Sequence, residues 1–295
     1  MVRVGLIGLG TMGWRIAKNL RDDGLLVGVF NRTMSKALRF AEEFKVHVFN
    51  NPAELASNVD VVVSIVSDDD AVKSIMLGEG GVINGIKQGS LIIEMSTISP
   101  STSIELASKI KEKGGLMVDA PIIGTSVLIE KREAVVLIGG EKEAYERAYE
   151  VVRHFARYII HIGPNGYGLY AKLINNALLG SYVAALAEVV NLGEAMGLSS
   201  GVIMDVLTKL SSARSPTSEL KVPKMINNDF SPQFATKHMR KDLDLVNKEA
   251  SRLGVPIPMA ALSLQLYRMA ETSGLSDDDF SAVVKILKRR NLTQH

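Results

Sequence analysis

The chain opens on Val2-Arg-Val-Gly-Leu-Ile-Gly8-Leu-Gly10-Thr-Met-Gly13, a short apolar run that ends in three spaced glycines and leads into a helix-competent segment, 14–20. In a unit of strand, tight turn and helix, glycines at this spacing let the backbone turn sharply, approach a pyrophosphate and pack the helix on the sheet. The amides and the positive dipole end of that helix favour phosphates. A purely structural turn explains the second glycine poorly, so the stretch predicts a Rossmann domain that binds a dinucleotide. The residues expected to contact the dinucleotide are Gly8, Leu9, Gly10, Thr11, Met12 and Gly13.

The second predicted strand, 26–30, ends in a basic turn, Asn31-Arg32-Thr33. An NAD-binding chain carries an acid in this region for the ribose 2′-hydroxyl, and this sequence has none there. Arg32, with Lys36 a turn later, can instead pair with a 2′-phosphate. A turn in which Thr33 or Ser35 caps the next helix is compatible with that role. The sequence therefore predicts NADP rather than NAD, bound by Asn31, Arg32, Thr33 and Lys36.

Alternating strand and helix patterns continue to about residue 163. Strands are expected at 60–66, 90–94, 117–119, 134–138 and 158–162, and helices at 102–113 and 141–156. The acidic run 68–70 is expected to complement a helix dipole rather than to bind metal, and Ser99 or Ser101 to cap the helix at 102. Ligands of open α/β sheets gather at the carboxyl ends of strands. The residues placed there for the cofactor are Val66, Ser67, Ser96 and Thr97.

A long apolar run begins at Gly168 and reaches about residue 196. At helical spacing Gly168, Lys172, Asn176 and Gly180 fall on one stripe. A helix that is apolar nearly all round is usually buried on most sides. A buried lysine loses solvation, which lowers its pKa and suits proton transfer. Lys172 is therefore a candidate general acid or base, the alternative being a lysine that extends along the helix to water.

Beyond Gly163-Pro164 the pattern is helical throughout. Helices are expected to begin at Ser199 or Ser200, to span 237–253 with Gly254 as a stop, to span 259–273, and to begin at Ser276 with acids in the first turn. We infer an α/β fold with an N-terminal Rossmann domain, 1–163, an all-α C-terminal domain, 197–295, and a long interdomain helix, 164–196, that joins them.

Composition excludes several classes of function. The chain has 295 residues, a net charge of +2, no cysteine and five histidines without metal-ligand spacing, so disulfides, thiolate catalysis, metal binding and a polyanionic partner such as nucleic acid are not expected. No signal peptide precedes the first strand. The uncharged stretch between Lys172 and Glu188 is shorter than the ~18 residues of a spanning helix. We expect a soluble, cytoplasmic protein without a membrane partner.

Five separated motifs resemble those of the β-hydroxyacid dehydrogenase family, the group of 3-hydroxyisobutyrate dehydrogenase. Besides the N-terminal glycines and the basic turn 31–33, they are Met95-Ser96-Thr97-Ile-Ser-Pro100, Asp119-Ala-Pro121, Gly168-x-x-x-Lys172-x-x-Asn175-Asn176 and Lys241-Asp242-Leu243. The resemblance implies hydride transfer between NADP and a small β-hydroxy acid of the 3-hydroxyisobutyrate, L-serine or 3-hydroxypropionate type. It also implies a homodimer or homotetramer in which the helical, substrate-binding halves interlock.

The same resemblance implies roles for three side chains. Lys172 is the general acid/base, Asn176 orients substrate and lysine, and Lys241 lies near the nicotinamide and the substrate. One segment departs from the family's usual Asp-Ala-Pro-Val-Ser-Gly-Gly, because this chain has Ile123 where a serine commonly helps to hold the substrate carboxylate. Backbone amides around Gly124, or the hydroxyl of Thr125 or Ser126, can still supply donors. The residues expected to contact the substrate are Ser96, Ile123, Gly124, Thr125, Lys172, Asn176 and Lys241.

Two alternatives stay open at the level of sequence. One is another enzyme on the same scaffold, such as an imine or semialdehyde reductase. The other is a non-catalytic NADP-binding module that senses redox state, which the altered residue 123 favours and the intact Lys172–Asn176 pair opposes.

Overall fold

The structure is a computed structural model that describes residues 2–288. The chain forms two compact units, Met1–Lys172 and Leu173–His295. The strands, all in the first unit, are β1 (Val4–Ile7), β2 (Leu26–Phe30), β3 (His47–Val48), β4 (Val61–Ser64), β5 (Leu91–Glu94), β6 (Leu116–Asp119), β7 (Ile122–Ile123), β8 (Ala134–Gly139) and β9 (Ala156–Gly163). The helices between them are α1 (Thr11–Asp22), α2 (Met34–Phe44), α3 (Pro52–Asn58), α4 (Asp69–Leu77), α5 (Pro100–Glu112), α6 (Ser126–Glu130) and α7 (Lys142–Val152).

Six strands form a parallel sheet in the order β3-β2-β1-β4-β5-β6, which is the order of dinucleotide-binding sheets. β8 pairs antiparallel with β6 and β7, and β9 adds to β8 in parallel. The central strands are buried on both faces and divide their side chains between two apolar clusters, as the two-residue period of a strand requires. Val61 and Val63 pack into one cluster and Val62 into the other. The expected Rossmann sheet is therefore confirmed.

Several boundaries in this unit differ from the sequence expectation. The amphipathic helix expected at 141–156 ends at Val152, because Ala156 already pairs with β8 as the first residue of β9. The strand expected at 60–66 is shorter and stops at Ser64, where the chain leaves the sheet. β7 and α6 lie in what the sequence treats as a loop after Pro121. The two-residue strands β3 and β7 are too short to give a periodic pattern.

Helix α8 (Tyr167–Ala195) begins in the first unit, and the division between the units falls within it, after Lys172. The second unit continues with α9 (Ser200–Asp205), α10 (Pro216–Ile226), α11 (Thr236–Leu253), α12 (Pro258–Ala270) and α13 (Val283–Leu287). Ser199 caps α9, and Gly254, in the left-handed region at φ 68°, ends α11. One apolar cluster, with Tyr267 and Phe280 among its members, fills this all-helical unit.

The expectation that the last helix begins at Ser276 with acids in its first turn is wrong. Asp279 instead accepts a hydrogen bond from Ser281 N and starts a short 3₁₀ turn, Phe280–Ala282, that leads into α13. Asp279 is buried and bonds the ammonium of Lys221 at 2.9 Å, so it has a fixed place in the core of the unit. The basic residues that the sequence carries after 288 lie outside the described residues.

Helix α8 is more exposed than its apolar sequence indicates. Gly168, Lys172, Asn176 and Gly180 are all buried, which confirms the predicted stripe, but Ile174 and Leu178 are 73% and 72% exposed. The uncharged stretch is shorter than a membrane-spanning helix. When up to two charged residues are allowed in the segment, α8 is long and apolar enough to cross a membrane, and 44% of that segment is buried in the protein. Core helices of soluble proteins meet the same criterion, and the expected lack of a membrane partner stays a prediction.

Candidate active site

The turn between β1 and α1 requires two of its three glycines for the fold itself. Gly8 has a φ of +100°, and a Cβ there would lie 2.1 Å from the carbonyl oxygen of Ile65. A Cβ on Gly13 would lie 1.9 Å from the carbonyl oxygen of Gly8, so this residue sets how closely α1 packs on the strand. Around Gly10, by contrast, a Cβ would meet nothing within 4 Å. The second glycine therefore leaves open space at the N-terminus of α1, where a bound pyrophosphate would meet helix amides.

Asn31 ties this turn to the end of β2. Its Oδ1 accepts a hydrogen bond from Leu9 N at 2.8 Å, and its Nδ2 donates to the Thr33 carbonyl oxygen at 2.9 Å. Thr33 stands at the N-cap of α2 without a capping hydrogen bond, and Ser35 lies inside the helix, so neither caps it. Arg32, Thr33 and Lys36 are exposed. The basic side chains are thus displayed beside the glycine turn, where a phosphate would be held.

The ends of β4 and β5 meet through side chains. Ser96 Oγ accepts a hydrogen bond from Val66 N at 2.8 Å, and Ser96 N donates to Glu94 Oε1 at 2.8 Å. Glu94 Oε2 accepts a bond from the Ser64 hydroxyl. The hydroxyl of Ser67 donates to Asp68 Oδ2 at 2.7 Å. The structure therefore brings Val66 and Ser96 together, as residues grouped at one edge of the sheet.

Helix caps near these strand ends are only partly as predicted. Asp68 caps α4 by accepting a hydrogen bond from Ala71 N at 2.9 Å, which agrees with a dipole role for the acidic run. Ser99 stands at the N-cap of α5 but makes no capping bond, because its hydroxyl is taken up by Asp69 and Thr102. Within residues 2–288 no group of three or more histidine or acidic side chains could share a metal ion.

Glu94 is a buried acid that sequence reasoning missed. Its side chain is 0% exposed. Burial raises the pKa of Glu94 to about 7, helped by the charge of Asp119 and opposed by the hydrogen bonds from Ser64 and Ser96. The available signal was an acid closing an otherwise apolar strand, Leu91-Ile-Ile-Glu94.

Asp119, at the end of β6, holds the start of α8. Its Oδ1 accepts a hydrogen bond from Gly166 N at 2.6 Å, and its Oδ2 accepts one from Leu169 N at 3.0 Å. Burial raises the pKa of Asp119 to about 6, against the lowering effect of these backbone donors. The Asp119-Ala-Pro motif by itself assigns no role to the acid. The structure assigns it the anchoring of the helix that carries Lys172.

Lys172 is 8% exposed, so its side chain does not extend to water along the helix. Its Nζ donates to the carbonyl oxygen of Ile122 in β7 at 2.7 Å. The segment that follows contains the half-buried Ile123 and Gly124, whose φ is +128°. Thr125 stands at the N-cap of α6 without a capping bond. The amino group of Lys172 is thus fixed next to the loop expected to hold the substrate.

In the second unit, Asn176 joins a hydrogen-bonded group of four residues. Asn176 is 1% exposed; its Nδ2 donates to Asp242 Oδ2 at 2.6 Å, and its Oδ1 accepts from Asn175 Nδ2 at 2.9 Å. The other carboxylate oxygen of Asp242 lies 3.0 Å from Lys241 Nζ. Two residues with predicted roles, Asn176 and Lys241, are therefore connected through the buried Asp242. The Lys241-Asp242 motif contains this acid, but the motif by itself assigns no role to it.

Known proteins resemble the chain along nearly its whole length. The model of the NAD binding domain of 6-phosphogluconate dehydrogenase matches residues 3–163, and the model described as NAD-binding of NADP-dependent 3-hydroxyisobutyrate dehydrogenase matches residues 166–287. The chain is 32% identical over 290 residues to chloroplastic glyoxylate/succinic semialdehyde reductase 2 of Arabidopsis thaliana, covering 97% of this chain and 80% of the relative. It is also 32% identical to 2-(hydroxymethyl)glutarate dehydrogenase of Eubacterium barkeri, covering 97% and 94%.

A solved structure of Mycobacterium tuberculosis 3-hydroxyisobutyrate dehydrogenase with L-serine superposes with a TM-score of 0.88 at 29% identity, covering 98% of this chain and 100% of that one. The matched domains bind a nicotinamide dinucleotide, and the open space at Gly10 and the amides of α1 fit such a cofactor. The chain therefore belongs to the β-hydroxyacid dehydrogenase family of NAD(P)-dependent oxidoreductases.

Proposed function

We propose that this protein transfers a hydride between NADP and the alcohol or carbonyl group of a small β-hydroxy acid, with Lys172 as the general acid/base. The observation that carries the proposal is the buried amino group of Lys172, held on the Ile122 carbonyl oxygen at 2.7 Å. The helix that bears it is anchored by Asp119 at its first turn. A positioned, partly desolvated amine is the kind of group that general acid–base catalysis requires.

Proton transfer is the part of the reaction that falls to the protein. When bound, the nicotinamide supplies or accepts the hydride. In the oxidising direction Lys172 Nζ takes the proton of the substrate hydroxyl, and in the reducing direction it returns a proton to the carbonyl oxygen. The Ile122 carbonyl accepts one N–H of Lys172, which fixes the direction of the amine.

We assign substrate orientation to Asn176 and Lys241. The Asn176 amide is held by Asn175 and Asp242, and a primary amide has a second N–H that can bind a substrate oxygen. Lys241 beside Asp242 supplies a cation for the carboxylate of an acid substrate. Ser96, Gly124 and Thr125 are further donors for that carboxylate, whereas Ile123 offers only its backbone.

The preference for NADP rests on the turn after β2. Arg32 and Lys36 are exposed there, and no acid occupies the position that would receive a ribose 2′-hydroxyl. The names of the relatives favour short carboxylic acids as substrates, and one is a reductase of glyoxylate and succinic semialdehyde. Reduction of a semialdehyde to the hydroxy acid is accordingly a second candidate for the physiological direction.

The decisive experiment measures NADP reduction by the purified protein with L-serine, 3-hydroxyisobutyrate and 3-hydroxypropionate, with NAD in parallel. The reverse reaction is measured with succinic semialdehyde and glyoxylate as oxidants of NADPH. We expect turnover with at least one of the five compounds, and a higher kcat/KM with NADP than with NAD. Tight NADPH binding without turnover on any compound would favour the non-catalytic redox sensor.

We further propose that the protein is a homodimer or homotetramer in the cytoplasm. The support is a set of exposed apolar side chains on helices of the second unit, Ile174, Leu178, Leu192, Val202, Leu210, Met259 and Leu262. Large exposed apolar patches mark sites of interaction between proteins, so these side chains are candidates for an interface between subunits. A mass in solution of two or four times 32.0 kDa would agree with this proposal.

A further inference from the structure

Three polar side chains form a row at the carboxyl ends of the central strands of an otherwise apolar sheet. Ser64, Glu94 and Asp119 are the last residues of β4, β5 and β6, and they are register partners across these neighbouring parallel strands. All three are 0% exposed. Parallel strands covered on both faces are normally apolar, and a buried polar group is retained only where it is bonded. The row therefore marks a place where polar groups have a specific role.

The two carboxyl groups of the row serve different elements. Asp119 bonds the start of α8. Glu94 bonds Ser64 and Ser96, and Ser96 in turn holds Val66 N, so Glu94 fixes the ends of β4 and β5. A dinucleotide-binding sheet has two mononucleotide-binding halves. The glycine turn and Arg32 occupy the half made by β1 to β3, so the ends of β4 and β5 belong to the half that receives the nicotinamide nucleotide.

Among residues 2–288, the groups that act on the Glu94 carboxylate are the Ser64 hydroxyl, Ser96 and the like-charged Asp119, and none of them is a cation. Asp119 on β6, the charged side chain that faces it, carries the same sign. Burying a charge without a partner is costly, so a cation that arrives at this half of the sheet would be attracted to it. The oxidised nicotinamide ring carries a positive charge, and the reduced ring carries none.

We propose that Glu94 is a positioning residue for the nicotinamide end of the cofactor, and that its carboxylate favours binding of the oxidised over the reduced form. The inference rests on the proposed nicotinamide cofactor. Glu94 is ionised above about pH 7 and neutral below, because burial raises its pKa to about 7. The preference for the oxidised cofactor therefore grows as the pH rises through neutrality.

The experiment measures dissociation constants for NADP⁺ and NADPH by isothermal titration calorimetry, at pH 6 and pH 8.5, for the wild type and Glu94→Gln. The 2′-phosphate titrates near pH 6 but is common to both forms, so its effect cancels in their ratio. In the wild type we expect the ratio of the NADPH constant to the NADP⁺ constant to rise up to about tenfold between the two pH values. In Glu94→Gln we expect the ratio to change less with pH than in the wild type, and the change that remains is that of Asp119, whose pKa is about 6. If NAD binds more tightly than NADP, the same ratio is taken with NAD⁺ and NADH.

The variant Ser64→Ala distinguishes the effect of the position of the Glu94 carboxylate from the effect of its charge. It removes one hydrogen bond to Glu94 but keeps the carboxylate, so we expect both cofactor forms to bind less tightly by a similar factor. The pH dependence of the ratio persists and moves to a higher pH, since the Ser64 hydrogen bond lowers the pKa of Glu94. Circular dichroism and thermal unfolding check that each variant is folded.

Three results would contradict the inference on Glu94. A wild-type ratio that does not change between pH 6 and pH 8.5 would overturn the inference whether or not Glu94→Gln folds. An unchanged pH dependence in a folded Glu94→Gln would overturn it as well. In both cases the proposed function would stand, since the cofactor binds. A wild type that binds none of the four cofactor forms would overturn the inference and the proposed function together.

Discussion

Lys172 and Asn176 stand one helical turn apart on α8, but different groups hold them. Lys172 bonds a backbone carbonyl oxygen in β7, and Asn176 bonds the side chains of Asn175 and Asp242. The Lys172 contact depends on the path of the chain after Asp119-Ala-Pro121, while the Asn176 contact depends on one side chain of α11. The sequence could identify both residues from spacing and resemblance, but not the partners Ile122 and Asp242, because these are distant in the chain.

At the scale of the single residue, Lys172→Met tests the proposed proton transfer. Methionine keeps the length and the burial of the side chain but has no amine. We expect kcat to fall about 10²- to 10⁴-fold, the usual contribution of general acid–base catalysis, while the dissociation constant for NADP changes less than about threefold. Steady-state kinetics and a fluorescence titration with NADPH measure the two quantities.

The matched control for this variant is Lys142→Met on α7, whose side chain is 84% exposed. We expect it to keep the wild-type kcat and cofactor affinity. A Lys172→Met protein with wild-type turnover on the best substrate would exclude Lys172 as the general acid/base.

Glu94 also makes the stability of the fold depend on pH. Its pKa rises from an ordinary value of 4.5 to about 7 on folding, so the folded state binds a proton more tightly than the unfolded state. The stabilisation associated with the neutral form is therefore present below about pH 4.5 and is lost as the pH rises to about 7. Glu94→Gln has no ionisable group at this position, so it does not lose this stabilisation as the pH rises. We expect its free energy of unfolding, relative to the wild type, to increase by on the order of 1–3 kcal/mol between pH 4.5 and pH 8.

Urea unfolding of both proteins at several pH values measures this difference. Taking the variant minus the wild type removes the contributions of other groups, such as Asp23 and Asp60, whose pKa values are lowered by hydrogen bonds from Arg132 and Arg3. A difference that stays constant with pH would mean that Glu94 does not titrate in the folded protein near neutrality.

At the scale of the element, the glycines of the turn between β1 and α1 have two different roles, one in folding and one in ligand binding. Gly10 has backbone angles of φ −74° and ψ −172°, which any residue adopts, and nothing surrounds its missing Cβ. We expect Gly10→Ala to fold with wild-type stability but to bind NADP at least about tenfold more weakly, because the added methyl group stands where the pyrophosphate approaches. Thermal unfolding and calorimetric titration measure the two effects.

Gly13→Ala, three residues later, is the contrasting variant. Its Cβ would press on the Gly8 carbonyl oxygen at 1.9 Å, so we expect a lower melting temperature as well as weaker binding. If Gly10→Ala bound NADP as tightly as the wild type, the cofactor would not approach the backbone at this turn.

Elements with a strong local signal were predictable from the sequence, and elements defined by distant contacts were not. The glycine turn, the alternation of strands and helices and the stop at Gly254 each depend on a few neighbouring residues. β7 exists because Ile122 and Ile123 pair with β8, and the 3₁₀ turn before α13 starts at Asp279, which bonds the distant Lys221. The roles of Glu94 and Asp119 likewise follow from the register of three strands, which no local pattern encodes.

At the scale of the whole molecule, the exposed face of α8 is where the sequence expectation failed. An apolar helix is expected to be buried, but Ile174 and Leu178 are exposed in the single chain. These two residues lie four apart on one side of α8, away from the buried stripe of Lys172 and Asn176. The apolar sequence of the helix is consistent with burial if this side meets a second copy of the chain.

Leu178→Lys tests the proposed oligomer. A lysine on a face that meets another subunit introduces a charge into an apolar interface, so we expect the mass in solution to fall from that of the oligomer toward 32.0 kDa. Light scattering coupled to size-exclusion chromatography measures the mass. Leu38→Lys on α2, a residue 56% exposed in the first unit, is the matched control and should keep the oligomer. A wild type that is already monomeric at micromolar concentration would contradict the proposal, since 72% of Leu178 would then remain in contact with water.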